Sequence, residues 1–295
     1  MSVESAPSLA EFLGAPLAEI AKVAPATMVY GVGGTRRQAA FAGIEPWSNQ
    51  FAQWARTGSL RSIDLIFRHG VRNLFLIAFS PGNFREIHNQ REQMMEKLHW
   101  FLAGPEATAD YARFGWRVRL LGTESVPELK MTAEHLCKVT PVQSRHTLYW
   151  TVVPNEESPW EQLLAATQRS QAKTRTEAVL ALYGEDIPPA TLYLAFGKPV
   201  ISLDLIPPLL VGQVQCYWSQ QPGYSLTETQ FRMILYDYAY LRPTWHEGKG
   251  ERAKAALAQR EAWTDGPLLG LGMRLGPFWY PGPMSSPAWT NAEEL

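Results

Sequence analysis

The sequence predicts an α/β protein, a mostly parallel sheet with helices on both faces. Three observations carry that prediction. Apolar runs of strand length, such as Asn73-Leu74-Phe75-Leu76-Ile77-Ala78-Phe79, are continuous rather than alternating, which suits strands buried on both sides. Segments with apolar residues at helical spacing separate those runs. No linker and no internal repeat interrupts the alternation, so residues 1–295 read as a single domain.

Taken in order, Ser8-Leu9-Ala10-Glu11 has capping-box spacing and opens a short helix towards Ile20, with Pro16 as its interruption. The first strand spans about Thr27–Val32. From Asn49 to His69, Phe51, Trp54, Leu60, Ile63 and Phe67 recur at helical spacing, and Gly70 marks the stop. The strand Asn73–Phe79 follows. A helix near Asn89–Leu102 precedes the strand Arg117–Leu121, and another near Thr132–Val139 precedes His146–Val153. One longer helix, Pro159–Tyr183, leads across Pro188-Pro189 to the strand Thr191–Phe196. The last strand is Val214–Trp218. Ser225-Leu226-Thr227-Glu228 then has capping-box spacing and opens a helix to about Arg242. Glu247–Trp263 reads as a charged surface helix. The tail 266–295 is rich in glycine, proline and aromatics and reads as irregular.

Bulk properties exclude several function classes. Lys plus Arg (27) nearly balances Asp plus Glu (28), so no global field favours a polyanion, and nucleic acid is not an expected partner. Cys137 and Cys216 are isolated, without the spacing of a disulfide framework or a zinc site. No basic leader precedes an apolar stretch, and no run approaches the roughly 18 apolar residues of a membrane span. A soluble, cytoplasmic protein without stable membrane insertion is expected. The supply of 11 Trp, 11 Tyr and 12 Phe is rich enough to line a cavity for an apolar ligand as well as a core.

The stretch Tyr30-Gly31-Val32-Gly33-Gly34-Thr35-Arg36-Arg37 carries the first chemistry. A buried strand ends in glycines, a hydroxyl and two arginines where a helix can begin. Glycines allow close backbone approach, a helix N-terminus adds positive potential, and guanidinium forks bind oxyanions. The turn is an anion cradle, but of neither common nucleotide type. Arg36 stands where a dinucleotide fingerprint needs its third glycine, no acidic residue follows for a ribose, and a P-loop would need Gly-Lys-Ser/Thr. At the end of the next strand stands Ser80-Pro81-Gly82-Asn83-Phe84-Arg85. Carboxyl ends of adjacent strands in an open sheet deliver such segments to one cleft mouth.

Gly33-Gly34-Thr35-Arg36-Arg37-Gln38, Ala78-Phe79-Ser80-Pro81-Gly82-Asn83-Phe84 and Arg119-Leu120-Leu121-Gly122-Thr123 resemble the segments that follow the first strands of the cis-prenyltransferase family. The late stretch Thr227-Glu228-Thr229, Ile234–Asp237 and Tyr240-Leu241-Arg242 resembles that family's divergent diterpene-processing branch, as do Gly270-Leu271-Gly272 and Phe278-Trp279. The resemblance implies a homodimeric enzyme acting on a cyclic diterpenyl diphosphate. It also shows departures. The family's magnesium-binding aspartate corresponds to Gly33, and its segment for a second diphosphate falls at Ala195-Phe196-Gly197-Lys198, without the arginine or the glutamate. One diphosphate rather than two is therefore expected, with no protein metal ligand assigned. Mg2+ would be bound mainly through the substrate diphosphate.

The expected reaction is ionisation of a bicyclic diterpenyl diphosphate and capture of the allylic cation by water, giving a diterpene alcohol and diphosphate. Arg36 and Arg37 are the catalytic candidates. The diphosphate-binding set adds Gly33, Gly34, Thr35, Asn83 and Arg85. Trp47, Phe51, Phe79 and Phe84 are the candidate hydrophobic, cation-stabilising residues. Two alternatives stay open: transfer of the diterpenyl group to a nucleophile such as adenosine, or a non-catalytic subunit. Asp237 and Tyr240 share a helix face and read first as structural.

Overall fold

The computed structural model describes residues 7–46, 48–86, 91–197, 201, 208, 210–219 and 221–241. Its frame is one six-stranded sheet with every pairing parallel. The strands are β1 (Thr27–Gly31), β2 (Asn73–Phe79), β3 (Arg117–Leu121), β4 (Thr147–Val152), β5 (Ala190–Phe196) and β6 (Val211–Ser219), in the spatial order β3-β4-β2-β1-β5-β6. The helices are α1 (Leu9–Gly14), α2 (Leu17–Ile20), α3 (Thr35–Phe41), α4 (Asn49–Arg68), α5 (Pro81–Glu86), α6 (Arg91–Ala103), α7 (Pro105–Phe114), α8 (Lys130–Val139), α9 (Ser158–Ser170), α10 (Arg175–Tyr183) and α11 (Glu228–Tyr236). The expected α/β class and parallel sheet are present.

The continuous apolar runs have their reason in two cores. Met28, Tyr30, Leu74, Leu76, Leu148, Trp150, Leu192 and Leu194 point to one face, where Ile63, Ile66 and Phe67 of α4 join Leu98 and Leu102 of α6 and Phe231 of α11. Val29, Phe75, Tyr149, Tyr193 and Ala195 point to the other, against Val179 of α10, Ile187 and Leu210. A strand apolar at every position buries alternate residues on opposite sides. On α4 the buried stripe is Ala55, Ser59, Ser62, Ile63, Ile66 and Phe67. Its two serines stay satisfied by donating to the Arg56 and Gly58 carbonyls at 2.8 and 3.1 Å.

Several expectations need correction. The single helix 159–183 is two, α9 and α10, broken at Gln171, a non-glycine residue at φ 52°. Thr174 then starts α10 with a full capping box to Glu177, and that local gain outweighs continuation. Between α6 and β3 lies α7, which the sequence reading did not place. Gly104 caps it, Pro105 opens it, and Gly115 closes it in the left-handed region. The capping box of α11 is Thr227 with Gln230, two positions later than expected. The Ser225 hydroxyl cannot cap there because it donates to the Pro222 carbonyl and accepts from Gln38. The interruption at Pro16, the capping box at Ser8 and Glu11, and the stop at Gly70 (φ 106°) are as expected. The late helix passes through a π-turn at Asp237–Leu241. Asp237 accepts there from the Tyr217 hydroxyl at 2.8 Å. Trp47, Lys198, Arg242, the segment 247–263 and the tail 266–295 lie outside the described residues.

The strand order decides where a ligand can enter. From β1 the chain crosses to β2, runs to the β3 edge and returns to β4. It then crosses to β5 on the opposite side of β1. Connections therefore diverge from the carboxyl end of β1, and that divergence leaves a crevice.

Candidate active site

A cavity of about 690 Å³ lies at that crevice. Its mouth is the turn Gly31–Arg37 together with Ser80 and Asn83 from the end of β2. Gly34 caps α3 at φ 68°, so the turn reverses within two residues and Arg36 and Arg37 project, exposed, from the first turn of α3. Thr35 lines the same mouth. Gly31 is small of necessity, since a Cβ there would come within 3.1 Å of the Ala195 Cβ and 3.4 Å of the Tyr193 hydroxyl. The Asn83 carboxamide oxygen accepts from the Ser80 N–H and hydroxyl at 3.0 and 2.9 Å, which shapes the start of α5.

Inside the mouth the wall turns apolar. α4 presents Phe51, Ala52 and Ala55, α6 presents Met94, Leu98 and Phe101, and the sheet presents Leu76, Phe79 and Trp150. The α6 residues recur at i, i+4 and i+7, one helix face. Phe101 meets Trp150 edge-on at 5.7 Å, and Phe51 stacks on Trp54 at 6.0 Å. Across the mouth stand Tyr193, Phe196, Trp218 and Tyr224. Among the described lining residues the ionisable groups are Arg36, Arg37, Lys97, Tyr193 and Tyr224, with no carboxylate or imidazole. Burial pushes the Tyr224 phenol far above its ordinary pKa, so it keeps its proton at any working pH.

Of the residues expected at the site, the structure brings Gly33, Gly34, Thr35, Arg36, Arg37, Asn83, Phe51 and Phe79 to this one cavity. It does not bring Arg85. That guanidinium pairs with exposed Glu156 at 2.8 Å and is not among the lining residues. Phe84 stands one layer back, edge-on to Phe79 at 5.4 Å and beneath the Arg91 guanidinium at 5.6 Å. Trp47 lies outside the described residues. The sequence reading missed Lys97, Phe101, Trp150, Trp218 and Tyr224, and it met Phe196 only within the altered second-diphosphate segment. Strand parity with Leu148 could have found Trp150. No local pattern marks the others.

The comparisons bear on this geometry. No family model matches the chain. Over 276 residues it is 48% identical to the (+)-kolavelool synthase of Herpetosiphon aurantiacus, covering 93% of this chain and 96% of that protein. This chain belongs to the (+)-kolavelool synthase family. A more distant relative, the tuberculosinyl adenosine transferase of Mycobacterium tuberculosis, is 26% identical over 247 residues, 79% of this chain and 82% of that protein. The fold is shared with lavandulyl diphosphate synthase of Lavandula x intermedia, solved with dimethylallyl diphosphate (TM-score 0.58, 13% identity, 74% of this chain and 97% of that one). It is also shared with a probable undecaprenyl diphosphate synthase of Campylobacter jejuni (TM-score 0.56, 15% identity, 73% and 95%). The kolavelool synthase family is thus built on the cis-prenyltransferase fold.

In this member of the kolavelool synthase family, a magnesium ion held by protein carboxylates does not fit the described residues. A Cβ on Gly33, where the resemblance puts the metal-binding aspartate, would stand 3.0 Å from the Phe196 ring. Among the described residues no three His, Cys, Asp or Glu side chains converge on one point. Phe196 instead carries Arg37, whose guanidinium carbon lies 5.6 Å from the ring centre. No helix among the described residues is long and apolar enough to cross a membrane.

Proposed function

We propose that this chain is a diterpene synthase of the kolavelool type. It ionises a bicyclic diterpenyl diphosphate, and water captures the cation to give a diterpene alcohol and free diphosphate. One observation carries the reading: a single cavity joins an exposed arginine pair at a glycine turn to an aromatic and aliphatic chamber. Its size, about 690 Å³, falls within the roughly 300–1,000 Å³ of small-molecule sites.

The chemistry follows from the two ends. At the mouth, Arg36 and Arg37 meet the diphosphate, with Thr35 and the backbone of Gly33 and Gly34 close enough to add donors. Fixed positive charge there stabilises the negative charge that develops as the carbon–oxygen bond breaks and both electrons leave with the diphosphate. In the chamber, the faces of Phe51, Phe79, Phe101 and Trp150 offer negative quadrupoles to the allylic cation. Water adds to the tertiary carbon, and its surplus proton passes to the departed diphosphate. Any magnesium would accompany the diphosphate oxygens. The homodimer implied by the resemblance belongs to this proposal, and sedimentation of the purified chain would test it.

The decisive assay incubates the purified protein with kolavenyl, tuberculosinyl (halimadienyl) and geranylgeranyl diphosphates, with and without magnesium and adenosine. An alcohol from a bicyclic diphosphate is expected. An adenosine adduct would replace this reading with group transfer, and no product from any of the three would point to a non-catalytic subunit.

A further inference from the structure

The turn that carries Arg36 and Arg37 is pinned at both ends by one segment nearly two hundred positions later in the chain. At its start, the Gly33 carbonyl accepts from the Gly223 N–H at 2.6 Å. At its end, Gln38 Oε1 accepts from the Tyr224 N–H at 2.8 Å, and Gln38 Nε2 donates to the Ser225 hydroxyl at 2.6 Å. The later segment is itself rigid. The Ser225 hydroxyl donates to the Pro222 carbonyl at 2.8 Å, the Arg61 guanidinium donates to the Tyr224 carbonyl at 2.8 Å, and the Tyr30 hydroxyl reaches the Gly223 carbonyl at 3.5 Å. Behind it, Gly58 lets α4 close on the Tyr224 ring, which a Cβ would approach to 2.6 Å.

We propose that Gln38 is a positioning residue for the diphosphate cradle. Its carboxamide locks the register of the turn 33–38 against 222–225, so the two arginines between the pins start from one backbone geometry. The proposal rests on the reading of this mouth as a diphosphate site. The physical case is preorganisation. The backbone that bears the two arginines sets where each side chain starts, Phe196 then carries the Arg37 guanidinium, and small displacements of a charged group near a reacting centre are costly in rate. A carboxamide suits the position because it accepts from a backbone N–H and donates to a hydroxyl at once. Leucine would leave both partners unmet. Glutamate would keep the acceptor for Tyr224 but lose the donor to Ser225, whose own hydroxyl proton is already given to the Pro222 carbonyl.

The test uses the full chain, with inorganic pyrophosphate as the probe, read as competitive inhibition of turnover and as direct binding by calorimetry. Gln38→Leu is expected to weaken pyrophosphate about tenfold and to raise KM for the diphosphate substrate in parallel, with the far-ultraviolet spectrum unchanged. Gln38→Glu, which keeps the Tyr224 contact but loses the donor to Ser225 and adds a negative charge beside Arg37, is expected to weaken pyrophosphate at least as much, and parent-like affinity in both folded variants would overturn the proposal. Gly223→Ala approaches the same contact from the other side, since its Cβ would stand 2.1 Å from Gln38 Oε1, and it should reproduce the Gln38→Leu effect. Unchanged pyrophosphate affinity in folded Gln38→Leu, whether or not its melting temperature drops, overturns the proposal and leaves Gln38 a structural residue. Should pyrophosphate fail to inhibit the parent protein while Arg36→Ala and Arg37→Ala turn over normally, the diphosphate reading itself falls and the positioning role with it.

Discussion

Gly33 and Phe196 act as a pair. A Cβ at position 33 would stand 3.0 Å from the Phe196 ring, which would have to give way to a side chain there, and the same ring carries the Arg37 guanidinium. In the proposed reaction the mouth would meet the diphosphate with guanidinium charge. Arg36→Ala and Arg37→Ala should each lower turnover by about 10²-fold or more, the scale on which a preorganised donor acts. Both side chains are exposed, so the melting temperature should hardly move. Released diphosphate, measured beside a thermal melt, checks both statements, and turnover close to the parent's would remove the arginines from the mechanism. Gly34 offers a controlled comparison with Gly43. Both sit near φ 70°, where alanine costs on the order of 1–3 kcal/mol. At Gly43 nothing lies within 4 Å of an added Cβ, whereas at Gly34 it meets Phe196 and Pro222 at 2.7 Å. Gly34→Ala should melt lower than Gly43→Ala and also lose pyrophosphate affinity. Identical melts for the two would show that the 222–225 turn does not press on the cradle.

At the scale of the element, α4 serves the core and the cavity with different parts of one helix. Its C-terminal half buries Ile63, Ile66 and Phe67, while its N-terminal half gives the cavity Phe51, Ala52 and Ala55. The two alanines keep the chamber wide opposite Met94, Leu98 and Phe101 of α6. Ala52 lines the cavity half-buried, unlike Ala55, which is buried, so Ala52→Phe turns a ring towards the cavity at less than the usual overpacking cost of about 1–3 kcal/mol. Turnover of a bicyclic diterpenyl diphosphate should fall by about tenfold or more, while pyrophosphate, which needs the mouth alone, should bind as before. Loss of both would mean that the ring has disturbed the mouth as well. The corrected break between α9 and α10 belongs to this scale too. Glu177 reaches back to the Thr174 N–H while the Thr174 hydroxyl accepts from the Glu177 N–H, and this reciprocal cap was readable in Thr174-Arg175-Thr176-Glu177. The apolar spacing ran on through it and concealed it.

Across the whole molecule, buried His69 and part-buried His146 are expected to weaken the fold in acid. His69 joins the end of α4 to the start of α11, donating from Nδ1 to the Leu65 carbonyl at 2.7 Å. Burial is the main reason its pKa lies below the ordinary value. Leu65 and Glu228, 3.6 Å from Nε2, oppose that shift, and Arg232 and Arg68 reinforce it. His146 donates to the Val71 carbonyl at 2.8 Å and is also depressed, chiefly by burial, with Arg145 adding to the effect. A folded pKa below the unfolded one means that the neutral form stabilises the fold. That stability is complete above the unfolded value of about 6.5 and is lost as pH falls through the lower folded values. The melting temperature should therefore decline below about pH 6.5, and His69→Gln should flatten part of the decline. An equally steep decline in that variant would assign the acid limit elsewhere. What the sequence by itself determined was local chemistry: runs apolar at every position mark strands covered on both sides, and Gly33–Arg37 marks a glycine turn that carries two arginines into a helix. Only the tertiary structure decided what that turn faces. The strand order sets β5 beside β1 and β6 beside β5 and brings Phe196 and Trp218 to the mouth, α6 lays Lys97 and Phe101 over the chamber, and residues 222–225 brace Gln38. Those residues carry no local signature, because their role comes from side-by-side strand pairing and from packing across the sheet. Arg85 shows the converse: its sequence position pointed to the cleft, and in the structure it pairs with exposed Glu156, 71 positions away, outside the cavity lining.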